Sequence, residues 1–249
     1  LYEKSSFLKK VQSKKINDSR VKWISNFKSI KKGPVVFFGN EFFDAVPIKQ
    51  FTFYKKDLFE KYYVINKKIG LDETYRKASM EDTKVIKSFK TFNNLKFIEY
   101  PKKGFYELDK IIEKISRLNG GIMLIDYGYL DQVNKSTLQT VMKNKKMNMN
   151  SLFKNLGRAD ITYLVNFSLL KEFFLKKKLK VKEIVSQKFF LEKMGIIQRA
   201  KILEKKMTQK QVEYMSSTLI RLLHKDLMGG LFKVIFAFKS KKNNFLGFE

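Results

Sequence analysis

Three polar side chains stand directly after two short apolar runs of the sequence. Asn40 and Glu41 follow Val35–Gly39, and Asp126 follows Ile122–Ile125. Continuous apolar runs of this length predict strands that are buried on both faces of a parallel sheet. Because ligands bind outside the carboxyl ends of such strands, we expect the three side chains to border one crevice. This layout is typical of an enzyme with a doubly wound sheet.

Each of these residues also has a purely structural interpretation. Glu41 or Asp44 could cap a helix or form a salt bridge, and Asp126 could belong to a simple turn. Asp160 and Thr162, in or after a later loop, could cap a turn. A carboxylate directly after a buried strand is costly unless it has a partner, and this favours a functional site at Glu41 and Asp126.

The composition limits the class of protein. The chain has 249 residues, 44% of them hydrophobic, which suffices for one large domain or for one domain with an insertion. The absence of Cys excludes thiolate metal sites and cysteine nucleophiles, and the single His224 argues against a Ser-His-Asp triad or a histidine metal site. No apolar stretch approaches the roughly 18–20 residues that span a bilayer, and no signal peptide is visible, so we expect a soluble protein.

The formal net charge of +28 resembles that of a nucleic-acid-binding protein. However, only six of the 52 basic residues are Arg, the residue that recognises phosphates and bases through its bidentate fork. The lysines are spread along the chain and fit solvated faces together with an AT-rich codon bias. We therefore do not expect nucleic acid as the partner.

Alternating strand and helix patterns predict a mostly parallel sheet. Residues 50–100 instead show the two-residue alternation of an antiparallel insertion, and residues 144–228 are predicted to be a helical elaboration that begins with a polar loop at 144–158. The expected helices are 5–16 with Phe7, Leu8 and Val11 on its inner face, 108–118, 167–174, 187–194, a segment to about 206, and 209–227, which Gly229–Gly230 should end before a strand at 231–238.

Taken together and in this order, the motifs resemble the MidA-type family of S-adenosylmethionine-dependent methyltransferases over nearly the whole chain. The most specific match is to the family signature Asn-Glu-Phe-Phe-Asp-Ala-Leu-Pro. The matching segments are Glu3–Leu8, Gly39–Pro47, Gly120–Tyr129, Thr137–Gln139, Ala159–Thr162, Phe190–Ile196 and Gly230–Val234.

The chain departs from the family pattern in two respects. The glycine-rich cofactor loop of the family lies upstream of Leu1, so the resemblance implies an N-terminally truncated, partial methyltransferase domain over residues 1–249, which alone could be inactive. Tyr129 and Tyr163 stand where relatives often carry His, and Asn166 stands where they tend to carry Asp. No role of those family residues is carried over.

The resemblance implies a class I, Rossmann-like methyltransferase fold with S-adenosyl-L-methionine as cofactor. It further implies a protein substrate, an arginine in a subunit of the respiratory complex I type, and a location in the bacterial cytoplasm or the mitochondrial matrix. Asn40, Glu41 and Asp126 are then the candidate catalytic residues, because paired carboxylates bind a guanidinium and localise its charge.

Further roles follow from the same resemblance. Glu3, at a strand end, is the candidate for the ribose hydroxyls of the cofactor, with Gly39 beside it. The candidates for substrate binding are Asp44, Tyr127, Asp160 and Thr162, and no metal is expected. Trp23 could lie near the adenine or pack in the core. Two rival functions stay open, an RNA methyltransferase and a non-catalytic assembly factor that uses the fold for docking.

Overall fold

The computed structural model describes residues 1–66, 70–142, 145–147, 157 and 159–249. Its helices are α1 (Ser6–Lys15), α2 (Met80–Ser88), α3 (Lys102–Leu118), α4 (Phe167–Lys176), α5 (Gln187–Lys193), α6 (Ile196–Glu204), α7 (Gln209–Leu223) and α8 (Met228–Leu231). Its strands are β1 (Val35–Asn40), β2 (Lys49–Tyr54), β3 (Asp57–Asn66), β4 (Gly70–Lys77), β5 (Phe97–Tyr100), β6 (Gly120–Tyr129), β7 (Gln139–Met142), β8 (Lys145–Met147), β9 (Asp160–Thr162), β10 (Val165–Asn166), β11 (Lys180–Val181), β12 (Val185–Ser186) and β13 (Phe232–Lys239).

The main sheet is built around β6. Strand β1 pairs with β6 in parallel, with Asn40 opposite Ile125, and β13 pairs with the other edge of β6 in antiparallel orientation. The short β10 also runs parallel to β6, and β11 and β12 pair with β13. The two apolar runs are therefore neighbouring parallel strands, and the predicted antiparallel final strand is present. Both predictions are confirmed.

One face of this sheet carries the larger hydrophobic core. Leu108, Ile112 and Ile115 of α3 pack there, and so do Leu169 and Leu170 of α4. The rings of Phe105 and Phe173 join the two helices in a stacked pair 4.0 Å apart. A smaller cluster covers the opposite face, where Phe190 of α5 packs with residues of β6 and β13. Strands β6 and β13 are thus covered on both faces, but Val36 and Phe38 of β1 are 65% and 62% exposed, so the prediction of burial on both faces is wrong for β1.

Residues 49–100 form a second sheet in which every pairing is antiparallel, with the order β4-β3-β2-β5. The predicted antiparallel insertion is confirmed, and it also includes α2. Buried Asp82 of α2 is paired with Lys49 at 2.9 Å and with Lys102 at 2.9 Å, so the helix is tied to β2 and to the start of α3. The hairpin turn predicted at 66–68 lies partly outside the described residues.

Three predictions of local structure differ from what is observed. The segment predicted as a helical elaboration also contributes strands β8 to β12, because its short polar stretches pair with β6, β7 and β13. Gly229 and Gly230 lie inside α8 and do not mark the end of a helix. Helix α1 forms as predicted, but Phe7 on its expected inner face is 71% exposed.

The N-terminal segment joins the fold through a single parallel bridge between Tyr2 and Ile24. Phe27 packs on the Tyr2 ring and on Phe37 of β1, and this contact brings the segment to the carboxyl side of the main sheet. Within the part of the chain that the structure describes, no helix has both the length and the apolar character needed to cross a bilayer.

Candidate active site

Residues 41–44, which we call the acidic turn, leave β1 sharply. Glu41 has φ of 47°, in the left-handed region, and its backbone N–H donates to the carbonyl of Ile125 at 2.9 Å. This bond continues the β1–β6 ladder by one residue and then turns the chain across the sheet edge. A non-glycine residue held at positive φ is costly, and such strain gathers at functional sites.

Asp126 holds the acidic turn from below. One of its carboxylate oxygens accepts hydrogen bonds from the backbone N–H groups of Phe43 at 2.9 Å and Asp44 at 3.1 Å, and the other accepts from the N–H of Tyr127 at 3.0 Å. Burial and the nearby charge of Asp44 raise the pKa of Asp126 to about 7, although three N–H donors favour the ionised form.

The burial of Asp126 changes its expected role. Its exposed fraction is 1%, so it lies at the predicted sheet edge but underneath the acidic turn. A carboxylate in this position cannot touch a ligand in the crevice, as direct binding of an acceptor would require. We therefore treat Asp126 as a positioning residue for Glu41.

Three of the predicted substrate-binding residues, Asp44, Tyr127 and Thr162, contact one another, and their role in substrate binding stays a prediction. The Tyr127 hydroxyl donates to the Asp44 carboxylate at 2.6 Å, and the Thr162 hydroxyl donates to the same oxygen at 3.0 Å. The two hydroxyls also contact each other. Burial and the Asp44 carboxylate raise the pKa of Tyr127 above its usual range. The other oxygen of Asp44 is buried, and no donor from the described residues reaches it.

Two further residues, to which the sequence assigned no role, contact the acidic turn and fix it. The buried hydroxyl of Tyr163 donates to the carbonyl of Phe43 at 2.8 Å. Gly104 of α3 lies against the same turn, since a Cβ atom there would come within 2.8 Å of Phe43 and 2.9 Å of Val46. In the sequence, Tyr163 stood out only through its place in a family motif, and nothing in the sequence pointed to a role for Gly104.

A cavity of about 730 Å³ opens in front of the acidic turn. Glu3 and Glu41 line it from two different segments, and Tyr106 and Glu107 of α3 line the far wall. Burial opposes the ionisation of Glu107, but hydrogen bonds from Lys4 and Lys110 outweigh burial and lower its pKa. The cavity is therefore bordered by carboxylates and by two lysines, Lys4 and Lys103, and its volume lies in the range of small-molecule and cofactor sites, about 300–1,000 Å³.

Glu3 is held at the mouth of this cavity by two donors. The backbone N–H of Ser5 donates to one oxygen at 2.8 Å, and the Gln12 amide donates to the other at 3.2 Å. Each carboxylate oxygen has a second lone pair, so Glu3 can still accept hydrogen bonds from a ligand. Its position at the end of the Tyr2 segment fits the predicted contact with ribose hydroxyls.

The remaining predicted residues lie as follows. Asn40 is exposed at the end of β1, and its amide donates to the Glu41 carboxylate at 3.4 Å. Gly39 borders a separate apolar cavity beside β1, where a Cβ atom would come within 2.9 Å of Leu124. Asp160 is exposed in β9 opposite Val141, and no contact given for the described residues joins it to the acidic turn.

The carboxylates of the cavity can act as hydrogen-bond acceptors for a ligand. Within the described parts of the chain, no cluster of three His, Asp or Glu side chains has the geometry to hold a metal ion. The carboxylates of the cavity, by contrast, are spaced along its walls and can accept hydrogen bonds from hydroxyl and cationic nitrogen groups.

Comparison with known proteins agrees with this geometry. Residues 1–185 match the family described as "Putative S-adenosyl-L-methionine-dependent methyltransferase". The mitochondrial protein arginine methyltransferase NDUFAF7 homolog of Caenorhabditis elegans is 28% identical over 182 residues, which are 71% of this chain and 41% of that protein. NDUFAF7 of Danio rerio is 23% identical over 185 residues, 73% of this chain and 42% of that protein. The chain thus spans about two fifths of the curated relatives that it matches.

A solved structure shares the fold. A methyl transferase candidate from Burkholderia thailandensis, crystallised with S-adenosyl-homocysteine, superposes with a TM-score of 0.78 at 20% identity, covering 99% of this chain and 65% of that chain. The Rossmann-like fold expected from the sequence is confirmed. With the family match extending over residues 1–185, the chain belongs to the MidA-type family of S-adenosyl-L-methionine-dependent methyltransferases.

Proposed function

We propose that this chain forms the ribose-binding and acceptor-binding walls of an S-adenosyl-L-methionine-dependent protein methyltransferase that acts on an arginine side chain. The observation that carries the proposal is the shared cavity of Glu3 and Glu41. A carboxylate for the donor and a carboxylate for the acceptor face one space at the carboxyl edge of the sheet, and methyl transfer needs both partners there in line.

The donor side rests on Glu3. Its carboxylate would accept hydrogen bonds from the two ribose hydroxyls, as acidic residues at strand ends do in nucleotide-binding sheets. When bound, the cofactor supplies an electrophilic methyl group on a sulfonium. A solved structure of the same fold was crystallised with S-adenosyl-homocysteine, which supports this class of cofactor.

The acceptor side rests on Glu41, with Asn40 beside it. A guanidinium can pair with the Glu41 carboxylate, which orients the group and draws its positive charge away from the attacking nitrogen. Asp126 acts on this step indirectly, because it holds the acidic turn from which Glu41 projects. Asp44, Tyr127 and Thr162 complete the support of the turn on its other side.

The target class comes from the relatives. Both curated relatives are named as mitochondrial protein arginine methyltransferases. We accordingly propose a protein substrate, a subunit of the respiratory complex I type, with the mitochondrial matrix as the location in a eukaryote and the cytoplasm in a bacterium. Arginine is also the side chain that two-point recognition by carboxylates serves best.

The test separates the two walls. We expect Glu3→Gln to weaken S-adenosyl-homocysteine binding in calorimetry, and Glu41→Gln to leave that affinity unchanged. Single-turnover methyl transfer to an arginine-containing protein should fall about ten- to a hundredfold in Glu41→Gln, since a hydrogen bond to a charged group is worth roughly 1.5–3 kcal/mol. Glu213→Gln, an exposed change on α7, serves as control.

Three outcomes would contradict the proposal. Transfer at the wild-type rate in Glu41→Gln would remove the acceptor assignment. Salt-dependent binding and methylation of RNA would favour the RNA methyltransferase. Binding of the protein target without any transfer would favour the assembly factor.

A further inference from the structure

The side chains of Trp23, Gln12 and Glu3 form a hydrogen-bonded relay that ends at the Glu3 carboxylate. The Trp23 indole N–H donates to the side-chain oxygen of Gln12 at 2.9 Å, and the Gln12 amide nitrogen donates to Glu3 Oε2 at 3.2 Å. The backbone N–H of Ser5 holds Glu3 Oε1 at 2.8 Å. Both oxygens of a carboxylate that faces the cavity are therefore anchored from the side opposite the cavity.

The chemistry of the relay allows one orientation only. An indole N–H can donate but not accept, and a carboxylate can accept but not donate. The oxygen of the Gln12 amide must therefore face Trp23, and its nitrogen must face Glu3. Replacement of Gln12 by Glu would set two carboxylates against each other, whereas replacement by Leu would release Glu3 Oε2 without adding a charge.

The relay is not a by-product of core packing. No residue of α1, which lies wholly within the described part of the chain, is buried. Gln12 is only half-buried, and its contacts are the polar ones to Trp23 and Glu3. Helix α1 contributes no buried residue to the core, but it holds the Glu3 carboxylate at the mouth of the cavity. We therefore assign to this helix the positioning of Glu3.

We infer that Gln12 and Trp23 are positioning residues that fix the Glu3 carboxylate toward the ribose hydroxyls of the cofactor, an inference that rests on the proposed function. Preorganisation of an acceptor by neighbouring side chains lowers the ordering cost when the ligand binds. The effect should therefore appear as selectivity for the ribose hydroxyls and not as general binding strength.

The test compares two probes by calorimetry, S-adenosyl-homocysteine and its 2′-deoxy analogue. The full-length wild-type protein should bind the first about ten- to a hundredfold more tightly, the range expected for a hydrogen bond to a charged group. Gln12→Leu should reduce this ratio about fivefold or more by weakening S-adenosyl-homocysteine alone, which is roughly 1 kcal/mol at tenfold per 1.4 kcal/mol. Gln12→Glu should reduce it further, and Trp23→Phe should act in the same direction.

Gln132→Leu is the matched control, because Gln132 is exposed and its side-chain amide bonds only to the Asn93 carbonyl in the contacts given for the described residues. Equal weakening of both probes in Gln12→Leu would show a purely structural role and overturn the inference. If Gln12→Leu left the ratio of the two affinities unchanged while Glu3→Gln abolished the preference for S-adenosyl-homocysteine, the inference would be overturned but the proposed function would stay intact. An unchanged ratio in Glu3→Gln itself would overturn the ribose assignment of the proposed function.

Discussion

The carboxylate of Asp126 accepts a hydrogen bond from the backbone N–H of Phe43 at 2.9 Å. The end of β6 thereby fixes the turn that follows β1, although the two residues are 83 positions apart in the sequence. The geometry of Glu41, and with it the proposed acceptor wall of the cavity, depends on a buried side chain that does not line the cavity.

Loss of the Asp126 carboxylate should destabilise the fold as well as the site. Asp126→Ala leaves the N–H groups of Phe43, Asp44 and Tyr127 without their acceptor, and an unsatisfied buried donor costs about 1–3 kcal/mol. We expect a loss of about 3 kcal/mol in the free energy of unfolding by urea. Asp131→Ala, at an exposed position close by, should change it by less than about 0.5 kcal/mol. Equal stability of the two variants would contradict the support role.

Asp126 should also give the stability a particular dependence on pH. Folding raises its pKa from 3.8 to about 7, so the folded state binds more protons than the unfolded state between these values. The stabilisation is therefore complete at pH below about 4 and is lost as the pH rises through about 7. The stability advantage of the wild type over Asp126→Asn should fall with pH at up to about 1.4 kcal/mol per unit.

This dependence can be checked by urea unfolding of both proteins at several pH values from about 5 to about 8. The difference between the two curves reports residue 126 together with its interaction with the Asp44 charge. A difference that stays constant over this range would show that the carboxyl group does not titrate there.

Tyr127 and Thr162 should be energetically coupled through Asp44. Each hydroxyl donates to the same Asp44 oxygen. Removal of one hydroxyl leaves the other as a donor to this oxygen, whereas removal of both hydroxyls leaves a buried carboxylate oxygen unpaired. The double variant Tyr127→Phe with Thr162→Val should therefore cost about 1 kcal/mol or more beyond the sum of the single changes. Tyr127→Phe combined with Thr52→Val should be additive, because Thr52 bonds to the Lys96 backbone in the other sheet.

Gly104→Ala should harm the site against the usual trend for helices. Alanine in a helix interior is normally favoured over glycine by about 1 kcal/mol. At Gly104, however, the added methyl group would meet Phe43 at 2.8 Å and push on the acidic turn. We expect lower stability and slower methyl transfer, while Ser116→Ala, at an exposed position of the same helix, should show neither. Unchanged transfer in Gly104→Ala would mean that the turn tolerates displacement.

The sequence predicts the strands that carry the site better than the side-chain contacts within the site. The Val35–Gly39 and Ile122–Ile125 runs are apolar throughout, and this pattern favours neighbouring strands of one sheet, although Val36 and Phe38 of the first run are exposed on one face. Their acidic ends therefore had to lie at one edge of the sheet. Nothing in the pattern shows that Asp126 lies underneath the turn, because its burial is decided by backbone N–H donors that any sequence carries.

Other differences have similar causes. Helix α1 has Phe7, Leu8 and Val11 at helical spacing, but periodicity reports an apolar face and not whether another element covers it. The strands among residues 144–228 are two or three residues long and pair with distant partners, so local alternation could not mark them. Asp160 and Thr162 lie two residues apart in one short strand and therefore share a face, but only Thr162 forms a hydrogen bond with Asp44.

The fastening of the acidic turn has a consequence for the order in which the protein assembles. The turn is tied to Asp126, and then to Tyr163, which lies 120 positions further along the chain than Phe43. Contacts between such distant positions form late, because closing long loops costs entropy before the contact repays it. During synthesis on the ribosome, Glu41 emerges long before either of its anchors. The proposed acceptor wall should therefore mature only after translation has passed residue 163, although Phe43 is made 120 positions earlier.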